Sequence, residues 1–119
     1  WFKHHVAYSM AKFGMSLVTL GMSAEFAGKV AFNSLWPRTI IATAAIEFAV
    51  GSTEMMRLAR QPSIMADACF EILKRDAKVC TGNYFIDDAV LAESGMQDFS
   101  HYQVDPTVDP QSLIPDFFI

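Results

Sequence analysis

The segment from about His5 to Ala27 constrains the fold more than any other part of this 119-residue chain. It contains no proline, and between Val6 and Ala27 its only charged residues are Lys12 and Glu25. Met10, Phe13, Leu17, Leu20 and Ala24 form one apolar stripe at helical spacing. Ala7, Ala11, Met15, Val18 and Met22 form a second stripe on another face. A helix of a small soluble monomer keeps one face wet. The two stripes predict a helix buried on two sides, as between a sheet and a partner helix, or one internal to a larger domain. Gly14, Ser16, Gly21 and Ser23 permit close approach, although each glycine costs an isolated helix about 1 kcal/mol. A second subunit, meaning a homo-oligomer formed through this helix, is the expectation.

Composition narrows the class. With 52% hydrophobic residues the chain can bury a core. Thirteen acidic residues against nine basic ones argue against a general nucleic-acid binder, which needs clustered cations. The longest uncharged stretches, Phe13 to Ala24 and Thr39 to Ile46, fall short of the roughly 20 residues of a membrane span. Cys69 and Cys80 are too few for a disulfide framework and sit in no metal-ligand pattern, so they read as ordinary intracellular thiols. The chain opens on Trp1-Phe2-Lys3 rather than on Met or a signal peptide, and it reads as part of something longer.

Gly28-Lys29 is a plausible helix stop. The apolar run from Val30 to Trp36, closed by Pro37, reads as a buried strand. From Ile40 to Leu58 the pattern is helical, with a break near Gly51-Ser52. Pro62-Ser63 opens a third helix with Ser63 as candidate N-cap, and Arg75 and Lys78 fall near its end, where cations suit the dipole. Thr81-Gly82 is a turn, and Asn83 to Asp87 reads as a second strand. The order predicts an α/β fold with parallel strands and crossover helices, in which two strands are part of a wider covered sheet. From Ser94 onward the chain turns polar and proline-bearing, which predicts an irregular, solvated acidic tail. There is no internal repeat and no low-complexity tract.

Tyr8 and Lys12 are four residues apart and share a helix face. A free tyrosine is a poor acid or base at neutral pH. A neighbouring ammonium favours the phenolate and lowers its pKa, which suits the pair to proton transfer. The same spacing also arises from an amphipathic tyrosine beside a solvated lysine. His4, His5 and His101 could suggest a metal, but adjacent helical side chains diverge and no carboxylate completes a set. Asp105, Asp109 and Asp116 lack the glycine and spacing of a calcium loop. No metal is expected. The methionines read as core packing, and Trp36 either lines a pocket or packs at a strand end.

Tyr8-Ser9-Met10-Ala11-Lys12 on a long apolar helix is followed by Asn33-Ser34-Leu35-Trp36-Pro37 at a strand end. Gln61-Pro62-Ser63 through Ala66-Asp67-Ala68 then precedes Thr81-Gly82-Asn83-Tyr84-Phe85-Ile86-Asp87. In this order the landmarks resemble the short-chain dehydrogenase/reductase family. The resemblance covers residues 1 to about 90 and matches the C-terminal half of that family's Rossmann-type, doubly wound parallel domain. It implies residues 1–93 as part of that domain and 94–119 as the tail. A narrower resemblance within the family rests on Trp1-Phe2-Lys3, Asn33 to Thr39, Thr81-Gly82-Asn83 and Pro115-Asp116-Phe117-Phe118.

The resemblance implies an NAD(P)-dependent oxidoreductase that interconverts a hydroxyl and a carbonyl. Tyr8 would be the general acid/base. Lys12 would lower the Tyr8 pKa and hydrogen-bond the nicotinamide ribose. Pro37 and the backbone of Thr39 and Ile40 would lie against the nicotinamide, and Thr43 would reach the cofactor's polar groups. By resemblance alone NADP is favoured over NAD, the substrate is hydrophobic or lipid-like, and the location is a peroxisome or mitochondrion. Two departures bear on this. Arg38 stands where a glycine usually follows the proline, with Thr43 one residue later than the usual threonine. Asp88-Ala89 replaces a glycine pair after the last strand. The glycine-rich pyrophosphate turn and the catalytic serine have no counterpart in these residues. The 119-residue fragment is therefore expected to be inactive alone. The alternative is a non-catalytic truncated product that binds full-length subunits through its first helix.

Overall fold

A two-stranded parallel sheet organises the chain. In the computed structural model, which describes residues 2–50 and 53–117, β1 (Ser34–Trp36) pairs with β2 (Tyr84–Ile86). The register sets Ser34 against Tyr84, Leu35 against Phe85 and Trp36 against Ile86. Parallel neighbours need a long crossover. Here residues 37–83 supply it, with a π-type turn at Ile46–Val50 and the helices α2 (Thr53–Arg57) and α3 (Ser63–Leu73). α1 (Val6–Glu25) precedes β1, and α4 (Asp87–Glu93) follows β2 directly. The expected break at Gly51-Ser52, and Trp1 and Phe118 of the narrower resemblance, lie outside the described residues.

Side chains as well as the ladder join the two strands at their starts. The Asn33 carboxamide donates to the Cys80 carbonyl (2.9 Å) and accepts from the Asn83 backbone N–H (3.1 Å). The Phe32 N–H donates to the Thr81 hydroxyl (3.0 Å). Gly82 has φ +76°, a conformation that side chains with a Cβ avoid. A Cβ there would also stand 3.0 Å from the Ser23 hydroxyl of α1. The turn into β2 and the seat of α1 thus need the same missing atom.

The main core lies between α3, α4 and the returning tail. Ile64, Ala68, Val90, Leu91 and Tyr102 are buried there, with Leu35 and Phe85 of the sheet packed against them. A second cluster of Ile40, Ile46 and Ala59 holds the crossover. Fully burying an Ile or Val side chain is worth about 1.5–3 kcal/mol, so these few residues carry much of the stability this half can generate.

Both strands are shorter than the sequence suggests, Ser34–Trp36 in place of Val30–Trp36 and Tyr84–Ile86 in place of Asn83–Asp87, and the stretch that reads as helical from Ile40 is first bridged at Ile41 to Arg60, ahead of the π-type turn. Three further expectations change. Ser63 is the first helical residue of α3. Its N-cap is Pro62, already at helical dihedrals (φ −57°, ψ −21°), and no side chain caps the helix. The tail is irregular but only partly solvated. The 3-10 turns Ser100–Tyr102 and Pro110–Ser112 fold it back, burying Tyr102, Gln103 and Leu113. The Tyr102 hydroxyl donates to Asp67 (2.7 Å) and its carbonyl accepts from the Gln61 N–H (2.6 Å).

The third correction concerns α1. Neither apolar stripe occupies the side of the helix that lies on the sheet. That side carries Ser9 and Ser23, both buried, with Thr19, whose hydroxyl hydrogen-bonds that of Ser34 (3.0 Å). Phe13 alone of the large stripe residues reaches β1, edge-on to Trp36 at 6.1 Å. Met10 is 71% exposed and Leu17 69%, with Met15, Val18 and Leu20 also exposed. Small polar side chains let the helix approach the strands closely, which turns the bulky residues outward.

Candidate functional site

A cavity of about 560 Å³ opens at the C-terminal end of β1. This is the end at which open parallel sheets bind ligands. Tyr8 and Lys12 enter it from α1, one turn apart on the side of the helix near the strand. The Lys12 ammonium lies 5.5 Å from the centre of the Tyr8 ring. Pro37, Ile40 and Thr43 contribute the crossover side, and Trp36 and Ile41 add apolar wall. Five of the six residues singled out in the sequence therefore share one cavity.

Thr39 is the exception. It is buried behind the wall, where its hydroxyl donates to the Ile40 carbonyl (3.4 Å) and its backbone pairs with Pro115. The Ile40 N–H is likewise taken, donating to the Ile114 carbonyl (3.0 Å). Ile40 offers its side chain to the cavity rather than that N–H. Thr43 sits at the mouth, its carbonyl accepting the Ile46 and Glu47 N–H groups that start the π-type turn.

The Tyr8 phenol is held above its ordinary value of 10.0, chiefly by burial and secondly by the Asp116 carboxylate. Lys12 does not reverse this, contrary to the expected lowering. Its ammonium lies over the ring, while desolvation acts on the hydroxyl's charged form.

The two departures from the family pattern meet in space. The Arg38 guanidinium pairs with Asp88 at 3.0 and 3.2 Å, and Arg60 pairs with the other side of the same carboxylate at 3.0 Å. Asp87, fully buried, accepts the Arg38 backbone N–H (2.9 Å). Burial raises its carboxyl, opposed by that hydrogen bond and its neighbour's. An arginine after Pro37 is thus held by the acidic start of α4, and the strand end on which Pro37 sits is pinned from beneath.

Sequence reasoning missed Asp116 and Phe117. Both line the cavity, and Phe117 stands edge-on to Tyr8 with ring centres 6.3 Å apart. In the sequence they stand out only as part of the Pro115–Phe118 landmark of the narrower resemblance, and Asp116 as a calcium candidate set aside, inside a region that read as tail.

No family model matches the chain. Among solved structures it superimposes on a chain from Xanthomonas campestris assigned as a dehydrogenase, with a TM-score of 0.88 and 48% identity. That alignment covers all of this chain and 42% of the other. A short-chain dehydrogenase from Mycobacterium thermoresistibile aligns with a TM-score of 0.80 and 39% identity, over 94% of this chain and 39% of its own. The fold is therefore that of a part of a Rossmann-type short-chain dehydrogenase. Among curated proteins, the chain is similar along its whole length to hydroxysteroid dehydrogenase-like protein 2, at 44% identity in Danio rerio and 43% in Homo sapiens. It spans 28% and 27% of those two proteins. No helix among the described residues is long and apolar enough to cross a membrane.

Proposed function

We propose that this chain contributes the proton-transfer pair and the nicotinamide-side wall of an NAD(P)-dependent oxidoreductase that interconverts a hydroxyl and a carbonyl. One observation carries the reading: Tyr8, Lys12, Pro37, Ile40 and Thr43 line a single cavity at the C-terminal end of a parallel strand. The donor set fits the nicotinamide end of such a cofactor. Pro37 and Ile40 offer an apolar surface to a planar ring, and Lys12 and Thr43 offer donors to its polar substituents. The cofactor, when bound, would supply or accept the hydride.

The chain's own residues handle the proton. In reduction the Tyr8 hydroxyl donates to the substrate's carbonyl oxygen, and in oxidation its phenolate takes the proton from the alcohol. Lys12, one turn away, favours the phenolate left after donation. Trp36, Ile40, Ile41 and Phe117 give the cavity apolar walls that suit a hydrophobic substrate. The resemblance favours NADP over NAD, and titrating both separates them. Tyr8→Phe in the full-length protein is expected to lower kcat by about 100-fold or more, with NADPH fluorescence still reporting cofactor binding. Undiminished turnover would remove Tyr8 from the mechanism.

The outer face of α1 favours a second, compatible reading. Met10, Leu17, Val18 and Leu20 form an exposed apolar surface of the kind that marks an interaction site. A second subunit covers it, whether or not the assembled protein turns over. Leu17→Asp is expected to yield a folded monomer by sedimentation. A variant that sediments as the parent assembly would overturn the subunit reading. One that fails to fold assigns the face to the interior of its own domain.

A further inference from the structure

The last described segment reaches the reaction pocket because it is laid along the crossover like an added strand. The Ile114 N–H donates to the Leu58 carbonyl (3.1 Å), and the Ile40 N–H to the Ile114 carbonyl (3.0 Å). Thr39 pairs antiparallel with Pro115, and the Asp116 N–H donates to the Arg38 carbonyl (3.0 Å). These bonds tie residues 114–116 to the residues that follow Pro37, so the segment's side chains keep a fixed relation to that wall. Asp116, half-buried, and Phe117 then face the cavity that holds Tyr8 and Lys12.

We propose that Asp116 is a positioning residue of this pocket, a counter-charge to Lys12 that keeps Tyr8 as a proton donor. The proposal rests on the reading of Tyr8 and Lys12 as the proton-transfer pair. A carboxylate at this wall makes a second negative charge on the phenol unfavourable, while Lys12 acts in the opposite sense. Burial raises the Asp116 carboxyl, and the N–H of Phe117 and the charge of Lys12 oppose that rise. Its charge in turn is the second cause of the raised Tyr8 phenol. Among the described residues, the charged side chains that line the pocket are Lys12 from α1 and Asp116 from the returning segment. The nearby guanidinium of Arg38 is engaged by Asp88 instead. The consequence is a bias: a tyrosine kept protonated is ready to give its proton to a carbonyl oxygen as the cofactor's hydride is delivered, and the phenolate that would take a proton from the alcohol waits for higher pH.

The test titrates Tyr8 directly. Phenolate formation is followed by ultraviolet difference absorption in the full-length protein, with the Tyr8→Phe protein identifying the Tyr8 step. Asp116→Asn keeps an acceptor for the Phe117 N–H and removes the charge. It is expected to move the Tyr8 transition to lower pH, and Asp116→Glu to return it toward the parent position. Asp116→Ser serves as the neutral variant if the Asn protein does not fold. A Tyr8 transition that stays in place in the neutral variant overturns the proposal. Failure of the parent reading looks different. There, Tyr8→Phe keeps its activity on an uncharged ketone, while the spectral titration still reports whether Asp116 acts on the phenol.

Discussion

α3 and α1 use hydropathy in opposite senses. In α3, Ile64 and Ala68 point into a core that α4 and the tail complete, and Asp67 and Glu71 meet partners from the tail and α4's end. In α1 the buried positions are Ser9 and Ser23, and the long apolar side chains face outward. One element is finished by residues of this chain. The other is anchored through a line of small polar groups and presents its bulk to something else. The difference separates two roles: the α3–α4–tail block is packed by residues of this chain, and α1 carries the proposed proton-transfer pair on a helix whose outer apolar face is exposed.

The contrast is sharpest in stability. Ile64→Ala deletes atoms from a site with no exposed surface and is expected to cost about 2–5 kcal/mol in a denaturant titration, whatever the protein concentration. Leu17→Ala, in protein diluted below any association, is expected to change stability by less than about 0.5 kcal/mol. Comparable losses at both sites in dilute protein would break the contrast and put the outer face of α1 inside its own domain.

Much of this was legible in the sequence, and the failures have physical causes. Glycine and proline punctuation placed α1, both strands and the start of α3, because φ beyond the reach of ordinary residues and missing N–H groups act locally. The parallel pairing followed from the intervening helices. α4 went unread because it follows β2 with no turn between them, and its first residue, Asp87, reads as the end of the strand. Tyr102 and Gln103 are held down by two backbone bonds that flank Gln103, from the Gln61 N–H to the Tyr102 carbonyl and from the Val104 N–H to the Ala59 carbonyl, which no periodicity announces. For the candidate site, the spacing of Tyr8 and Lys12 offered the pair, and the resemblance singled it out from an ordinary surface tyrosine beside a lysine. Asp116 could not be placed there, since only the pairing of residues 38–40 with 114–116 brings it near. The inward face of α1 was misread because hydropathy says which side chains avoid water, not which surface covers them.

A smaller loss than that of Ile64→Ala tests how firmly the tail belongs to the stable block. Tyr102 is almost fully buried, and its hydroxyl donates to Asp67 at 2.7 Å. Burial first, then that hydrogen bond and the carboxylate's charge, push its phenol from 10.0 up to about 12. The folded protein therefore holds a proton that the unfolded chain releases near pH 10. The resulting stability is fully present below pH 10 and is lost as pH rises toward about 12. Tyr102→Phe keeps the ring and removes the hydroxyl. Because Asp67 is exposed and water can take the donor's place, the expected cost is about 1 kcal/mol at neutral pH. The variant should also lose the part of the alkaline decline that this phenol causes, so the two proteins' denaturation midpoints converge between pH 10 and 12. Parallel midpoints across that range would mean that Tyr102 titrates alike in both states. The tail would then open separately from α3 instead of unfolding with it.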